Sequence, residues 1–299
     1  MKTKLLQLPI IYAGLVLVWG STWIAIKVSV GDTPFLMAAI RFFIASMLLA
    51  FYQRMRGKAI LPPPGYSRPI ITLGVGNFFI GYGFTYWGMQ FVNSNITSIL
   101  WATLPVMVSL FAHFMLKDEK LNGSKVFSLC GALIGSYLIF NIQGQDFDLQ
   151  SSLGMAVVLI SILGAAYSNV LYKRDASHLD PVSSNTLGML IGACLLLISG
   201  LISEPLTSVE FSTLIWGATL YLAIFGSAIG FSVYFWLLSQ VSVVKMSYIT
   251  FLIPILASIW GWVILNEGLS LRSFIGAVII LGSVSLPELF PLKRGRVSG

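Results

Sequence analysis

The chain has 299 residues, 57% of them hydrophobic and 10% charged, with a mean hydropathy of +0.87. A soluble domain carries about 25% charged residues, so there is too little charge here to cover a water-facing surface, and the composition is that of an integral membrane protein. The net charge of +7 would suit nucleic acid, but the basic residues fall where topology markers belong, and Cys130 and Cys194 sit inside apolar runs without disulfide or metal-ligand spacing.

A membrane-spanning helix needs about 20 mostly apolar residues. Ten such runs follow one another: 9–27, 34–53, 69–89, 95–116, 124–141, 152–172, 184–203, 213–236, 244–265 and 273–290. The loops between them are too short for a separate soluble domain. The first run follows Lys2 and Lys4 as a signal peptide would, but it is longer than a signal h-region and nine runs follow it, so it reads as a retained helix. It contains "WGSTWIAIK", Trp19 to Lys27. There Trp19 and Trp23 share a face, Thr22 offers a hydroxyl, and Gly20-Ser21-Thr22 lets another helix approach closely.

The second run buries Arg41 roughly 10 Å below its outer end, at about 1.5 Å per residue. An arginine there is either an anion partner, such as for a substrate carboxylate, or a structural cation that ties helix ends through backbone carbonyls. With no acidic residue mid-span to neutralise it, the structural reading carries the greater weight. The third run places Tyr82 and Tyr86 on one face, with Asn77 about a turn and a half earlier. The fourth spaces Thr97, Trp101 and Pro105 every four residues, and the proline is expected to kink the helix and free a carbonyl near the bilayer centre. In the fifth, Gly131 to Gly135 allows close packing, within the fold or between protomers. Tyr167 and Asn169 lie midway in the sixth, Tyr234 in the eighth, and Tyr248 and Thr250 precede Pro254 in the ninth. Together these side chains would make an amphipathic cavity with aromatic walls, which would also suit a cationic amine. For any single aromatic, core filling or an interfacial belt is the simpler role. Glu119 and Glu267 end the fourth and ninth runs. They are either gate ion-pair members, Glu119 with Lys117 or Lys120 and Glu267 with Arg272, or solvated helix-end charges, which is the preferred reading. His113, near a helix end, reads as a satisfied or snorkelling histidine.

With an even number of spans both termini share a side. Fifteen lysines and arginines then fall on that side, against Lys27 and Arg272 on the other, so both termini are expected in the cytoplasm.

A shift of 149 residues pairs Gly81 with Gly230, Trp87 with Trp236, Val92 with Val241, Ser98 with Ser247, Pro105 with Pro254 and Ser109 with Ser258. At 146 it pairs Lys27 with Lys173. Five spans fit in that offset, and five is odd, so the second copy crosses the membrane in the opposite sense. The expectation is an all-α membrane protein of ten transmembrane helices in two inverted five-helix repeats, 1–145 and 146–299, joined at "NIQGQDFDLQS". Such a pair can open one central site to either side in turn.

"WGSTWIAIK", "TPFLMAAIRFFIA" and the paired "TLPVMVSLFAHFMLKDEKL" and "FLIPILASIWGWVILNEGL" resemble the drug/metabolite transporter superfamily, and within it the EamA-type branch, over essentially the whole chain. The resemblance implies ten helices around a central cavity for small metabolites. It also implies location in a bacterial cytoplasmic (inner) membrane, often with export of amino acids or related compounds. The arginine of the second helix recurs across the superfamily with differing substrates. The chain departs from the pattern in having "AAYSNVLYK" where the second half would carry a Trp-Gly pair, so the halves need not contribute equally.

The leading reading is therefore a secondary transporter, with a small-molecule substrate and the lipid bilayer as partners and without cofactor, metal or nucleic acid. Its oligomeric state is open between monomer and homodimer. No GxxxxGK[ST] loop is present to support ATP drive. A membrane enzyme acting on lipid-linked substrates is the runner-up; against it, no paired intramembrane aspartates and no HExxH occur. A non-transporting partner subunit is the third reading.

Overall fold

Apolar chain in lipid must satisfy every backbone N–H and C=O within its own segment, which leaves helices as the open solution for runs of this length. The computed structural model describes residues 2–92, 94–139, 148–208, 212–253, 255–256, 259 and 271–289, and among them there are helices and no strands. In chain order they are α1 (Lys2–Val30), α2 (Pro34–Met55), α3 (Ser67–Thr72, Leu73–Gly83 and Phe84–Gly88 in one rod), α4 (Ser94–Trp101 and Leu104–Met115) and α5 (Gly123–Ile139). The order continues with α6 (Leu149–Asp175), α7 (Pro181–Ser203), α8 (Thr213–Tyr221, Leu222–Ile229 and Gly230–Gln240 in one rod), α9 (Val243–Ile253) and α10 (Leu271–Leu289).

Five of these are long and apolar enough to cross a membrane: Leu8–Val30, Pro34–Met55, Leu149–Asp175, Pro181–Ser203 and Thr213–Gln240. The others are shorter or interrupted, for reasons that lie in the sequence. Pro105 has no N–H to continue the ladder, so α4 breaks at Ala102-Thr103 into i→i+3 bonds (Thr103 N to Leu100 O, 2.9 Å) and restarts at Leu104. The middle of α3, Leu73–Gly83, and of α8, Leu222–Ile229, winds as π-helix, a form that widens the rod and gathers at functional sites. These two stretches begin 149 residues apart.

Starts and stops follow local chemistry. Asp148, Asp180, Ser212 and Ser242 cap α6, α7, α8 and α9 by accepting from Ser151 N, Val182 N, Ile215 N and Lys245 N. Pro34 and Pro181 open α2 and α7, where the missing donor costs nothing.

Antiparallel helix pairs include three that join the two halves of the chain at matching helices. α2 lies along α7: at one end the Glu204 carboxylate accepts from Phe35 N (2.6 Å) and Leu36 N (2.9 Å), and at the other Gln53 Nε2 donates to Ser183 Oγ (2.7 Å) while Lys58 pairs with Asp180 at 3.3 Å. α5 lies along α10, with Ser128 Oγ donating to Ser283 O at 2.5 Å. A Cβ on Gly135 would lie 2.7 Å from the Gly276 carbonyl, so the Gly131–Gly135 stretch serves packing within the fold. The α4–α9 pair meets through Glu119, described below. Large apolar side chains such as Leu17, Ile24, Phe43, Met47 and Phe51 face outward, as they do where the surroundings are lipid. Buried polar residues, Arg41, Asn77, Thr97, Asn169 and Asn185 among them, face inward.

Candidate functional site

Between α1, α2, α3, α4, α6, α8 and α9 lies a cavity enclosing about 840 Å³ of atom-free space, its open mouth included. Ten of the fourteen residues expected to bind substrate line it: Trp19, Thr22, Trp23, Arg41, Asn77, Tyr82, Trp101, Asn169, Tyr234 and Thr250.

Arg41 is 2% exposed. Its Nε donates to Ser227 Oγ (2.8 Å) and its Nη1 to Tyr86 Oη (2.9 Å), and the guanidinium lies over the rings of Phe42 and Tyr82 at 5.0 and 5.1 Å. These are neutral partners on α8 and α3, not the helix-end carbonyls of the structural reading. Among the described residues Arg41 makes no ion pair and no carboxylate lines the cavity. Gly226 leaves room for it: a Cβ there would lie 3.4 Å from Arg41 Nη2 and 3.2 Å from Thr22 Cγ2.

The aromatic walls are held by their polar ends. Trp19 Nε1 donates to Gly226 O (3.2 Å), and its indole stacks on Tyr234 at 5.3 Å and tilts against Phe231 at 5.2 Å. Trp101 Nε1 donates to Thr85 Oγ1 (3.0 Å), which itself donates to Gly81 O and meets Ser161 Oγ. Three lining residues keep an unpartnered buried atom: Asn77 Nδ2, Asn169 Oδ1 and Tyr234 Oη. Such orphans are rare in folded proteins and mark places where water or ligand belongs.

Four expected residues do not line the cavity. Tyr86 sits behind Arg41 and holds it. Tyr167, two residues from Asn169, points to the opposite face of α6, where it is 37% exposed and packs edge-on against Phe111. Thr97 and Tyr248 are buried between helices. Pro254 and Glu267 lie outside the described residues. Six lining residues were not foreseen: Ile26, Thr85, Leu104, Phe231, Ile249 and Ile253. The repeat signals part of this set, because Tyr82 and Phe231, Trp101 and Thr250, and Leu104 and Ile253 are each 149 residues apart and all six line one cavity.

Glu119 is not a solvated helix-end charge. It is 8% exposed and accepts from Val243 N (3.0 Å) and Val244 N (3.3 Å), which caps α9 at its positive end. Among the described residues it forms no ion pair with Lys117 or Lys120. Lys120 instead donates to His113 O, and His113 Nδ1 accepts from Leu121 N (3.1 Å), so this histidine is satisfied. Beside Glu119, Lys173 Nζ donates to Leu238 O (2.6 Å) and Val241 O (2.8 Å) at the end of α8. Lys27, its counterpart at the 146-residue offset, is exposed.

The profile of the EamA-like transporter family matches the chain twice, over residues 8–141 and 152–286. The uncharacterized transporter YoaV of Bacillus subtilis (strain 168) is 32% identical over 94% of this chain and 96% of its own length. A WAT1-related chloroplastic protein of Arabidopsis thaliana is 29% identical over 90% of this chain and 66% of its own. Protein PagO of Salmonella typhimurium is 25% identical over 94% of this chain and 95% of its own. A solved crystal structure, 20% identical, superposes with a TM-score of 0.82 over 96% of this chain and 99% of that one, a likeness of fold.

Proposed function

The chain belongs to the EamA-like transporter family and is a multi-pass membrane transporter, and from that premise we propose that it is a secondary transporter that exports amino acids or related small metabolites by alternating access. The observation that carries this reading is the cavity itself, in which an unneutralised Arg41, indole and phenol walls and a few amides converge at the centre of the bundle.

In this reading ten helices cross a bacterial cytoplasmic membrane as two inverted halves, residues 1–145 and 146–299, with both termini in the cytoplasm. Support comes from the doubled family match, the two π-helical stretches 149 residues apart, and the lining pairs at the same offset. The antiparallel contacts of α2 with α7, α4 with α9 and α5 with α10 are those an inversion requires. Glu119 and Lys173 hold the α8–α9 turn to α4 and α6 at the end of the bundle assigned to the cytoplasm, and their release would open that end. Lys27 and Glu267 would take the corresponding places at the other end. The break at Pro105 supplies a flexible point in a gating helix.

The test is purified protein in sealed liposomes. Time-dependent movement of a labelled amino acid down its gradient, absent from protein-free vesicles, supports export; chemical conversion without movement sinks the reading in favour of an enzyme.

A further inference from the structure

We propose that the cavity takes its ligand by a carboxylate: a small organic monoanion with a flat apolar body, bound at Arg41, is accepted, and organic cations are turned away. This rests on the transporter reading above and narrows its substrate.

Among the described residues Arg41 is a charge taken out of water without a counter-ion. A buried guanidinium is costly unless an anion meets it, and low local dielectric strengthens that meeting. Its two side-chain hydrogen bonds, to Ser227 and Tyr86, engage two of its five N–H donors. The Nη2 side faces Gly226, which has no side chain to cover it. A planar fork with free donors matches a carboxylate in geometry as well as in sign. Among the described residues no lysine or second arginine lines the cavity, so one negative charge is what this lining can balance.

The aromatic walls would ordinarily favour a cation. Here the Tyr82 face already carries the Arg41 guanidinium at 5.1 Å, and Trp19 is stacked on Tyr234. A cationic ligand would meet a like charge with no carboxylate among the described lining residues, so the rings act as apolar walls rather than as a cation cage. Asn77 Nδ2 and Asn169 Oδ1, one donor and one acceptor without partners, add a place for a neutral substituent that both donates and accepts.

The experiment compares three labelled probes that share an indole: indole-3-acetate (anion), indole-3-acetamide (neutral) and tryptamine (cation). Binding is measured on purified protein in detergent and flux in liposomes. The expected result is at least about a 10-fold preference for indole-3-acetate over either of the others, falling to near parity in Arg41→Gln. If Arg41→Gln does not fold, Gly226→Val, which covers Nη2 while keeping Arg41, should reduce the preference several-fold. Tryptamine or the acetamide binding as well as the acetate overturns the carboxylate site even if all three are transported. Preferential binding of the acetate without flux of any probe upholds the site and overturns the transporter reading. No binding of any probe overturns the site.

Discussion

The wall of the cavity drawn from α1–α4 and the wall drawn from α6, α8 and α9 differ in chemistry although they face the same space. The first supplies the cation, four aromatics with a polar group (Trp19, Trp23, Tyr82 and Trp101), Asn77, Thr22 and Thr85; the second supplies Phe231, Ile249, Ile253, a threonine, Tyr234 and Asn169. At the 149-residue offset Tyr82 faces Phe231 and Trp101 faces Thr250, so a phenol is answered by a bare ring and an indole by a small hydroxyl. Counting from the prolines that open α2 and α7, Arg41 corresponds to Gly188, which packs against Leu73 and Phe78. If the halves are the inverted copies proposed above, the duplication supplies shape twice, and one copy is then free to carry recognition while the other carries packing.

The largest test of that division sets Phe231 against Tyr82. Phe231 is 3% exposed and packs on Trp19, Phe78, Tyr82 and Phe235 at 5.0–6.4 Å. Truncating such a ring typically costs about 3–5 kcal/mol. Phe231→Ala should therefore lower the amount of folded protein recovered by size exclusion, whereas Tyr82→Ala should leave insertion intact and lower flux. Folded amounts that fall equally in both variants would erase the distinction between a packing wall and a recognition wall.

Trp101 and Thr250 extend the comparison to ligand contact. Loss of an indole that lines a cavity removes contact worth about 1.5–3 kcal/mol, so Trp101→Ala should weaken transport about 10- to 100-fold without loss of insertion. Thr250→Ala should change it by about two-fold or less, since the Thr250 hydroxyl already donates to Ser247 O (2.9 Å). Equal losses at both positions, read as initial rates in liposomes, would contradict the asymmetry.

Glu119 asks whether the two walls move against each other, because it joins the end of α4 to the start of α9. Hydrogen bonds to a charged group are worth about 1.5–3 kcal/mol, so Glu119→Ala should raise the population open at that end by about 10-fold or more. A cysteine at Ile253, with Cys130 and Cys194 replaced by serine, would report this as faster labelling by an impermeant thiol reagent from the α4 C-terminal side. Unchanged labelling would leave Glu119 as a helix cap and nothing more.

Much of this was legible in advance because it rests on local rules. The edges of the helices follow from apolar runs and prolines, and the break in α4 follows from Pro105. Most lining residues were found as polar or aromatic interruptions of lipid-soluble sequence, Arg41 and Asn77 above all. Phe231, Ile249 and Ile253 were not, because an apolar residue in an apolar helix carries no mark of the face it takes. Tyr167 was misplaced for the converse reason: a tyrosine mid-span draws notice whether it faces a cavity or lipid. Glu119 escaped because its partners are backbone N–H groups 124 and 125 residues away, which leave no trace in composition.

The smallest expected effect concerns the two ends of the α2–α7 pair, whose carboxylates titrate in opposite senses. Burial pushes the Glu204 carboxyl above the ordinary glutamate value, and the N–H groups of Phe35 and Leu36 offset this only in part. Burial acts on Asp180 in the same direction, but hydrogen bonds from Val182 N, Gln53 and Lys58 outweigh it and hold that carboxyl below the ordinary value. A raised carboxyl means the folded state holds its proton more tightly, so the Glu204 contribution is full below the ordinary glutamate pKa and is lost as pH rises through the folded value. The Asp180 contribution is present above the ordinary aspartate value and is lost only as pH falls through its lowered one. As pH falls through the raised Glu204 value, Asp180 keeps its charge, and acidification should stabilise the protein through Glu204. The quantity to measure is the difference in thermal midpoint between wild type and Glu204→Gln in detergent, in which pH effects common to both proteins cancel. That difference should shift toward the wild type on acidification by less than about 2 °C. A shift toward the variant would mean that the N–H bonds to Phe35 and Leu36, and not burial, govern this carboxylate.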